Sequence, residues 1–244
     1  MKTWEELTSC KTHGDFVGKF YSINGGKKYG GACQECLRIA NKKEQEEKDR
    51  EEKGKAEARK IRAREKAGIS KRNIFKTFDD YICVTDGQRK AKSDCVKFTE
   101  SFPSDKSIIM VGGVGTGKTL LASAILDSLV DDYRCEIIKV IDVVRELKAT
   151  WSKDSETTEE RLINYYSNLD LLILDEIGSQ FGSDTEKLFI FDIIDGRYQD
   201  MKPTILISNL DITGIKESIG ERCVDRLREG GGSMIAFDWE SARK

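Results

Sequence analysis

The sequence contains the stretch Gly112-Gly113-Val114-Gly115-Thr116-Gly117-Lys118-Thr119, which reads G-x-x-x-x-G-K-T, a phosphate-binding loop. Residues 107–111 before it form an apolar run of strand length, and residues 120–130 after it are apolar on a helical period. Glycines let backbone N–H groups approach phosphate oxygens, and the following helix directs the positive end of its dipole at them. The stretch therefore predicts a nucleotide site between a buried strand and a helix.

Two side chains of this loop carry its expected chemistry. Lys118 can reach the β- and γ-phosphates of ATP, and the Thr119 hydroxyl can bind Mg²⁺. We take residues 112–119, together with Leu120 at the helix start, as candidate ATP-binding residues. A glycine-rich turn that matches by chance is the alternative, and the apolar runs on both sides argue against it.

A second strand is expected to face the same phosphates. Residues 171–176 read LLILDE, an apolar run that ends in two carboxylates. Buried parallel strands are continuous apolar runs, and ligands bind at their carboxyl ends. We therefore predict that Asp175 binds magnesium and that Glu176 polarises the attacking water. We expect the loop and the acidic pair to follow neighbouring strands; the alternative is an acidic turn.

The remaining apolar segments alternate between strand and helix patterns. Residues 136–141 and 203–209 are typical of strands, whereas residues 143–151, 159–167 and 183–199 are typical of helices. Ser155 or Thr157 is expected to cap the second of these helices. Asn209 could bond the γ-phosphate or the attacking water, or it could be a turn asparagine. The alternation predicts a three-layer α/β P-loop domain with a parallel sheet.

The first forty residues have a different character. They contain the pattern C-x2-H…C-x2-C, formed by Cys10, His13, Cys33 and Cys36. Each pair can place both ligands on one metal, and four such ligands suit tetrahedral zinc in a closed, structural site. We predict a zinc-binding module over residues 1–40. The alternative is four unligated residues in a disordered arm.

A charged connector follows this module. Residues 41–67 contain almost no apolar side chains and mix both signs of charge. Two interpretations remain open: a helical or frayed spacer, or a basic arm for single-stranded DNA or a partner. The candidate cations of the arm are Arg59, Lys60, Arg62, Arg64 and Lys66. We predict a charged helical linker over residues 41–74 and an ATPase domain over residues 75–244.

The distribution of charge and the hydropathy of the chain narrow the classes of protein to which it could belong. The net charge is -2 overall, but residues 1–76 carry +8 and residues 77–244 carry -10. The basic front suggests an acidic partner, nucleic acid or protein, unless it serves solubility alone. No run of eighteen apolar residues predicts a membrane span, and the N-terminus lacks the apolar core of a signal peptide. We expect a cytoplasmic protein with reduced thiols.

The order of these motifs resembles that of AAA+ ATPases. Lys118 and Thr119, then Asp175 and Glu176, then Asn209 follow the order Walker A, Walker B and sensor 1. Four stretches resemble DnaC-type replicative helicase loaders: TFDDY at 77–81, ILDEIG at 173–178, GERCVDRLR at 220–228 and FDWESAR at 237–243. The likeness covers residues 75–244. IstB-type transposition ATPases and DnaA-type initiators share the same core.

The resemblance implies roles for further residues. Arg226 matches the arginine finger that reaches the γ-phosphate held by a neighbouring subunit, with Arg222 a second candidate. Arg243 matches the sensor 2 arginine. Phe78 and Tyr81 match the segment that lines the adenine pocket.

It also implies a surface for single-stranded DNA. The helices at 143–167 match an insertion that faces single-stranded DNA in a helical assembly. Trp151, with Lys148 and Lys153, could offer stacking and phosphate contacts, or it could be a buried core tryptophan.

The function that this resemblance implies is ATP-dependent loading of a hexameric, DnaB-type replicative helicase onto single-stranded DNA. ATP, Mg²⁺ and Zn²⁺ are the expected cofactors. We expect slow hydrolysis of ATP to ADP and phosphate, and self-assembly into a spiral. Two alternatives are an IstB-like transposition accessory ATPase and a nucleotide-gated adaptor with negligible turnover.

Overall fold

The chain forms two units in a computed structural model that describes residues 2–23, 26–178 and 183–241. The units are Met1–Arg59 and Lys60–Lys244. None of the helices among the described residues is long and apolar enough to cross a membrane. Arg243 lies outside the described residues, so the structure says nothing of its predicted role.

The first unit contains a small antiparallel sheet. Its strands are β1 Lys2–Cys10, β2 Gly14–Ser22 and β3 Lys28–Gly30, in the order β1-β2-β3. Almost every side chain of this sheet is exposed, and only that of Phe20, which stacks on Trp4 at 6.1 Å, is both large and buried. A sheet that buries so little apolar surface needs another source of folding free energy.

A single long helix, α1 Gln34–Lys66, continues the chain. Its middle is stabilised by ion pairs between residues four apart, such as Glu44–Lys48 and Glu51–Lys55, both at 2.6 Å. The helix crosses the predicted boundary at residues 40 and 41. The domain boundaries themselves stay predictions.

Within the second unit, Arg64 holds the last turns of α1. This side chain is buried, and it bonds Asp127 at 2.6 Å and Asp131 at 3.1 Å. Arg64 is therefore not available to an acidic partner, and its place in the predicted basic arm is wrong. A charge pattern in the sequence cannot distinguish a buried arginine from exposed ones.

The second unit alternates helices and strands. In chain order its main elements are α2 Asp86–Glu100, β4 Ile108–Gly112, α3 Lys118–Leu129, β5 Cys135–Lys139, α4 Val140–Ala149, α5 Glu159–Asn168, β6 Leu171–Ile177, α6 Asp184–Gln199, β7 Thr204–Ser208, α7 Ile212–Ile219, α8 Glu221–Arg228 and β8 Ser233–Phe237. All pairs of the five-stranded sheet are parallel. Helices α2 and α3 cover one face, and α4 to α8 cover the other. The predicted three-layer α/β fold is confirmed.

The strand order is β5-β6-β7-β4-β8. Strand β7 therefore lies between β4, which leads into the phosphate loop, and β6, which ends in the acidic pair. The expectation that these two strands are neighbours is wrong. The residues of β7 are all buried, which suits a central strand covered on both faces.

Two local predictions differ from the structure. Strand β5 ends at Lys139 and α4 begins at Val140, earlier than the predicted strand end at residue 141. Helix α5 is capped by Thr158, whose hydroxyl accepts a hydrogen bond from the Arg161 N–H at 3.3 Å. The cap is thus neither Ser155 nor Thr157. The prediction was wrong because three hydroxyl residues lie within four positions, and the sequence does not show which of them begins the helix.

One buried arginine connects α6 to the sheet. Arg197 is fully buried, and burial lowers its pKa to about 9, so that it remains a cation at neutral pH. Its guanidinium donates to the carbonyl oxygens of Tyr166 at 2.8 Å, Leu169 at 2.7 Å and Pro203 at 2.5 Å. The arginine thus satisfies backbone acceptors where α5 ends and β7 begins.

Replacing Arg197 with methionine is expected to lower the free energy of unfolding by about 3–5 kcal/mol, because the buried carbonyl oxygens lose their donors. Urea denaturation followed by circular dichroism measures this change. Arg134→Met is the matched control, since Arg134 is exposed and its side chain donates to the Asn168 carbonyl oxygen at 2.8 Å. Equal effects of both variants would contradict the prediction.

Candidate nucleotide and metal sites

The predicted phosphate loop lies between β4 and α3, and two of its glycines are required by close contacts. Gly112 has φ 141°, and a Cβ there would lie 2.1 Å from the Phe237 carbonyl oxygen. Gly117 has φ 96°, and a Cβ there would lie 2.4 Å from the Tyr81 ring. Any other residue would displace β8 or Tyr81. The glycines thus allow neighbouring elements to support the loop closely.

Lys118 lies inside this loop. Its side chain is buried, and its ammonium donates to the carbonyl oxygens of Gly112 at 2.6 Å and Gly113 at 2.7 Å. Burial lowers the pKa of Lys118, and the negative charge of Asp175 acts in the opposite direction. The cation is therefore placed where a phosphate oxygen could replace the weaker carbonyl acceptors.

The structure brings Thr119 and Asp175 together. The Thr119 hydroxyl donates to a carboxylate oxygen of Asp175 at 3.0 Å, and the Glu176 N–H donates to the other at 2.7 Å. Asp175 is buried, and burial raises its pKa. A hydroxyl and a carboxylate are oxygen ligands of the kind that magnesium prefers. The two residues therefore fit a magnesium ion.

Glu176 adopts a strained backbone conformation. It has φ 59°, and the pairing of β6 with β7 shifts between Leu174 and Ile177 at the same point. Such an irregularity directs successive side chains differently from a regular strand. The Asp175 carboxylate is buried, whereas that of Glu176 is exposed and pairs with Lys139 at 2.9 Å. The sequence did not point to Lys139, because it approaches Glu176 only through the pairing of β5 with β6.

Asn209 lies at the same edge of the sheet. It follows Ser208, which aligns with Val111 of β4 on one side and with Ile177 of β6 on the other. Its side chain is exposed. Asn209 therefore stands between the end of the phosphate-loop strand and the acidic pair.

Trp239 is a contact that sequence reasoning missed. Its indole N–H donates to the Thr116 carbonyl oxygen at 3.0 Å, and the Tyr81 hydroxyl donates to the same oxygen at 3.2 Å. Of the two predicted adenine-pocket residues, Tyr81 thus contacts the loop. Phe78 lies half-buried in a short 3-10 turn and packs against the core on the α3 side.

Arg226 lies far from this chain's own phosphate loop. It borders a surface cavity of about 450 Å³ together with Ser107, just before β4, and Thr204, the first residue of β7. These residues mark the amino edge of the sheet, whereas Lys118 and Asp175 lie at its carboxyl edge. A five-residue strand separates the two edges by roughly 16 Å. Arg222, at the start of α8, is exposed.

Trp151 is at the surface. Its side chain is 58% exposed, and its indole N–H donates to Glu159 at 2.9 Å. The alternative that Trp151 is a buried core residue is therefore wrong. Lys148, predicted as a phosphate contact, instead bonds Glu186 at 2.6 Å.

The four predicted zinc ligands form one cluster. One ligand atom from each of Cys10, His13, Cys33 and Cys36 lies within 4.8 Å of all the others. The Nδ1 atom of His13 is 3.7, 3.6 and 3.2 Å from the three sulfur atoms in chain order. A zinc ion with tetrahedral bonds of about 2.3 Å to sulfur and 2.0 Å to nitrogen separates its ligand atoms by about 3.5–3.8 Å. These residues therefore fit a zinc ion.

The thiols of this cluster differ in proton affinity. Hydrogen bonds from the backbone N–H groups of Thr12 and His13 lower the pKa of Cys10 to about 6. The neighbouring Cys10 sulfur, which lies at 3.4 Å, raises the pKa of Cys36 to about 11. That separation is longer than a disulfide bond. The turn at residues 10–13 thus favours the thiolate that zinc binds.

The parallel sheet, the phosphate loop and the acidic pair define a P-loop domain of the AAA+ type. The chain belongs to the family of IstB-like ATP binding proteins, whose sequence model matches residues 42–225. The comparisons also confirm the resemblance to DnaC-type helicase loaders. The replicative helicase loader DnaC of Buchnera aphidicola subsp. Acyrthosiphon pisum (strain APS) is 38% identical over 181 residues, 73% of this chain and 74% of the relative.

Solved structures have the same fold. The crystal structure of a DnaC helicase loader has a TM-score of 0.61 at 24% identity, over 68% of this chain and 99% of that one. The replication initiator DnaA bound to AMPPCP and single-stranded DNA has a TM-score of 0.58 at 25% identity, over 68% of this chain and 50% of that one. Because the DnaC structure is only 24% identical to this chain, that likeness concerns the fold alone.

Trp239→Phe is expected to weaken ATP binding about 2- to 10-fold, because it removes one hydrogen bond that holds the phosphate loop while keeping the aromatic packing. Titration of the full chain with a fluorescent ATP analogue measures the dissociation constant. Trp4→Phe is the control, since the Trp4 indole bonds Glu6 in the first unit. An unchanged dissociation constant for Trp239→Phe would count against a supporting role.

Elemental analysis of the purified chain is expected to find about one zinc ion per molecule, because four ligands converge on one point. Cys33→Ser is expected to lose that zinc and to lower the thermal stability of the first unit. The control is Cys83→Ser, a half-buried cysteine outside the cluster. A chain purified without chelators that contains no zinc would refute the metal assignment.

Proposed function

We propose that the protein is an ATP-dependent loader of a hexameric, DnaB-type replicative helicase onto single-stranded DNA. One observation carries the proposal: a buried lysine and a Thr119–Asp175 pair converge at one edge of the sheet, in a chain whose relative is a replicative helicase loader. The relative's activity is known by its name, and its extension to this chain is our proposal.

Each residue of the site has a proposed task in ATP hydrolysis. Residues 112–120 hold the phosphates, with Lys118 on the β- and γ-phosphate oxygens. Thr119 and Asp175 hold Mg²⁺, which when bound offsets phosphate charge. Glu176, on leaving Lys139, accepts the proton of the attacking water, and Asn209 orients that water. Tyr81 and Phe78 border the adenine.

Arg226 is proposed to act on the ATP of a neighbouring subunit. Its place at the amino edge of the sheet, the edge opposite Lys118, supports action between subunits rather than within one. A guanidinium offsets the charge that develops during phosphoryl transfer. Such an interface repeated from subunit to subunit gives a spiral oligomer whose assembly depends on ATP. Arg243 remains a proposed sensor 2 residue.

Single-stranded DNA is the proposed nucleic-acid ligand. The exposed indole of Trp151 supports base stacking, and Lys153 is an exposed cation nearby in sequence. ATP would favour the DNA-binding, ring-opening assembly, and hydrolysis would release it. ATP can shift this equilibrium only by binding the two states with different affinity.

The N-terminal region is proposed to bind the helicase. A zinc module over residues 1–40 and a charged linker over residues 41–74 would precede the ATPase domain at residues 75–244. The exposed cations Arg59, Lys60 and Arg62 favour an acidic partner surface. We expect the chain to act in the cytoplasm, where replication takes place.

Loading of the host's replicative helicase onto single-stranded DNA covered by its binding protein tests the proposal. Lys118→Ala is expected to abolish loading, because the phosphates lose their cation. Glu176→Gln is expected to bind ATP and load helicase, but to hydrolyse ATP at least 100-fold more slowly and to remain bound. Lys106→Ala, a surface change before β4, is the control. Loading by Lys118→Ala at the normal rate would refute the ATP switch.

A second candidate function is favoured by the family model that matches residues 42–225, which is named for IstB. An accessory ATPase of transposition would bind duplex DNA tightly and would not contact the helicase. A pull-down with the host's helicase, with and without ATP, separates the two functions. A steady-state ATPase assay separates both from an adaptor with negligible turnover.

A further inference from the structure

The guanidinium of Arg226 is held by two residues of α6. The Arg226 Nε donates to Asp195 at 2.9 Å, and the guanidinium carbon lies 4.4 Å from the centre of the Tyr198 ring. A third neighbour, Glu229, accepts from Nη1 at 3.4 Å, a long hydrogen bond. The side chain of Arg226 is 38% exposed, so one part of it is fixed and another faces solvent.

We propose that Asp195 and Tyr198 are positioning residues, which hold the Arg226 guanidinium in the orientation in which it meets the triphosphate bound by a neighbouring subunit. This inference rests on the proposed function of Arg226 and adds to it the residues that prepare the finger.

The choice of donor atom supports this role. A guanidinium has five N–H donors in a planar fork, and the two terminal nitrogens together suit a phosphate. Asp195 accepts from Nε, and so leaves both terminal nitrogens for another anion. The long contact from Nη1 to Glu229 competes with that anion for one of these two nitrogens. A carboxylate bound to both terminal nitrogens would have blocked the fork.

The stacking on Tyr198 fixes the plane of the same group. Asp195 and Tyr198 are three residues apart, which places them on one face of α6. Helices α6 and α8 share a hydrophobic core through the buried residues Ile194, Cys223 and Leu227. Asp195 and Tyr198 thus belong to a helix that is packed firmly against α8. An arginine without such contacts would lose more rotamer freedom when it binds a phosphate.

A purely structural role explains this arrangement less well. The ion pair is partly exposed, with 38% of the Arg226 side chain and 19% of the Asp195 side chain accessible, and ion pairs that solvent reaches contribute little to stability. The packing of α6 against α8 is already provided by buried apolar side chains. Loss of the Asp195 carboxylate should therefore leave unfolding almost unchanged while it changes the orientation of Arg226.

The first test compares steady-state ATP hydrolysis by Asp195→Asn with that of the wild-type full chain. The amide keeps the size of the side chain but loses its charge, so kcat is expected to fall about 10- to 100-fold with KM for ATP unchanged. Tyr198→Phe is expected to retain activity because it keeps the stacking ring, and Tyr198→Leu to lose it. The control is Asp225→Asn, which removes the charge of an exposed aspartate on α8. Unchanged kcat in Asp195→Asn would overturn the inference, as would a parallel loss of stability in urea.

Mixing of subunits separates this inference from the proposed function. Lys118→Ala subunits keep Arg226, Asp195 and Tyr198, so they should restore hydrolysis when mixed with Arg226→Ala subunits, whose loops are intact. A mixture of Lys118→Ala subunits with Asp195→Asn subunits should also hydrolyse ATP faster than either variant alone. Recovery with Arg226→Ala but not with Asp195→Asn would overturn the positioning role alone. Failure of both mixtures would overturn the action of Arg226 between subunits and the inference with it.

Discussion

The hydrogen bond between the Thr119 hydroxyl and the Asp175 carboxylate, 3.0 Å long, joins the two halves of the candidate site. Thr119 belongs to α3 and Asp175 to β6, and the sheet places β7 between β6 and β4. Because the bond spans this strand, it requires the loop after β4 and the end of β6 to lean over β7. Lys118, Glu176 and Asn209 lie at the same edge of the sheet as this bond.

Much of the fold was predictable because its signals are local. The loop at residues 112–119, the acidic strand and the alternation of helix and strand each depend on residues close in sequence, and the parallel sheet followed from them. The order of strands did not, since β4, β6 and β7 are all mainly apolar, and their sequences do not indicate which strand pairs with which. For the same reason the contacts of Trp239 and Lys139, which join residues distant in sequence, were not predictable.

Charged residues were the least predictable part of the chain. Arg64 belongs to a basic run in the sequence, yet it is buried against two aspartates, and Arg197 is buried among carbonyl oxygens. The cluster of Cys10, His13, Cys33 and Cys36 was easier, because a metal restricts both the type and the spacing of its ligands. Whether a charged side chain is buried or exposed depends on residues distant in sequence. The ligands of a metal can instead be recognised from their residue types and spacing.

The left-handed backbone of Glu176 has a consequence for how such a protein evolves. A glycine there would adopt φ 59° without strain, and the chain would fold more readily. That chain would also lack the carboxylate that is proposed to activate water. With the role proposed for Glu176, selection for stability and selection for turnover would therefore oppose each other at this one position.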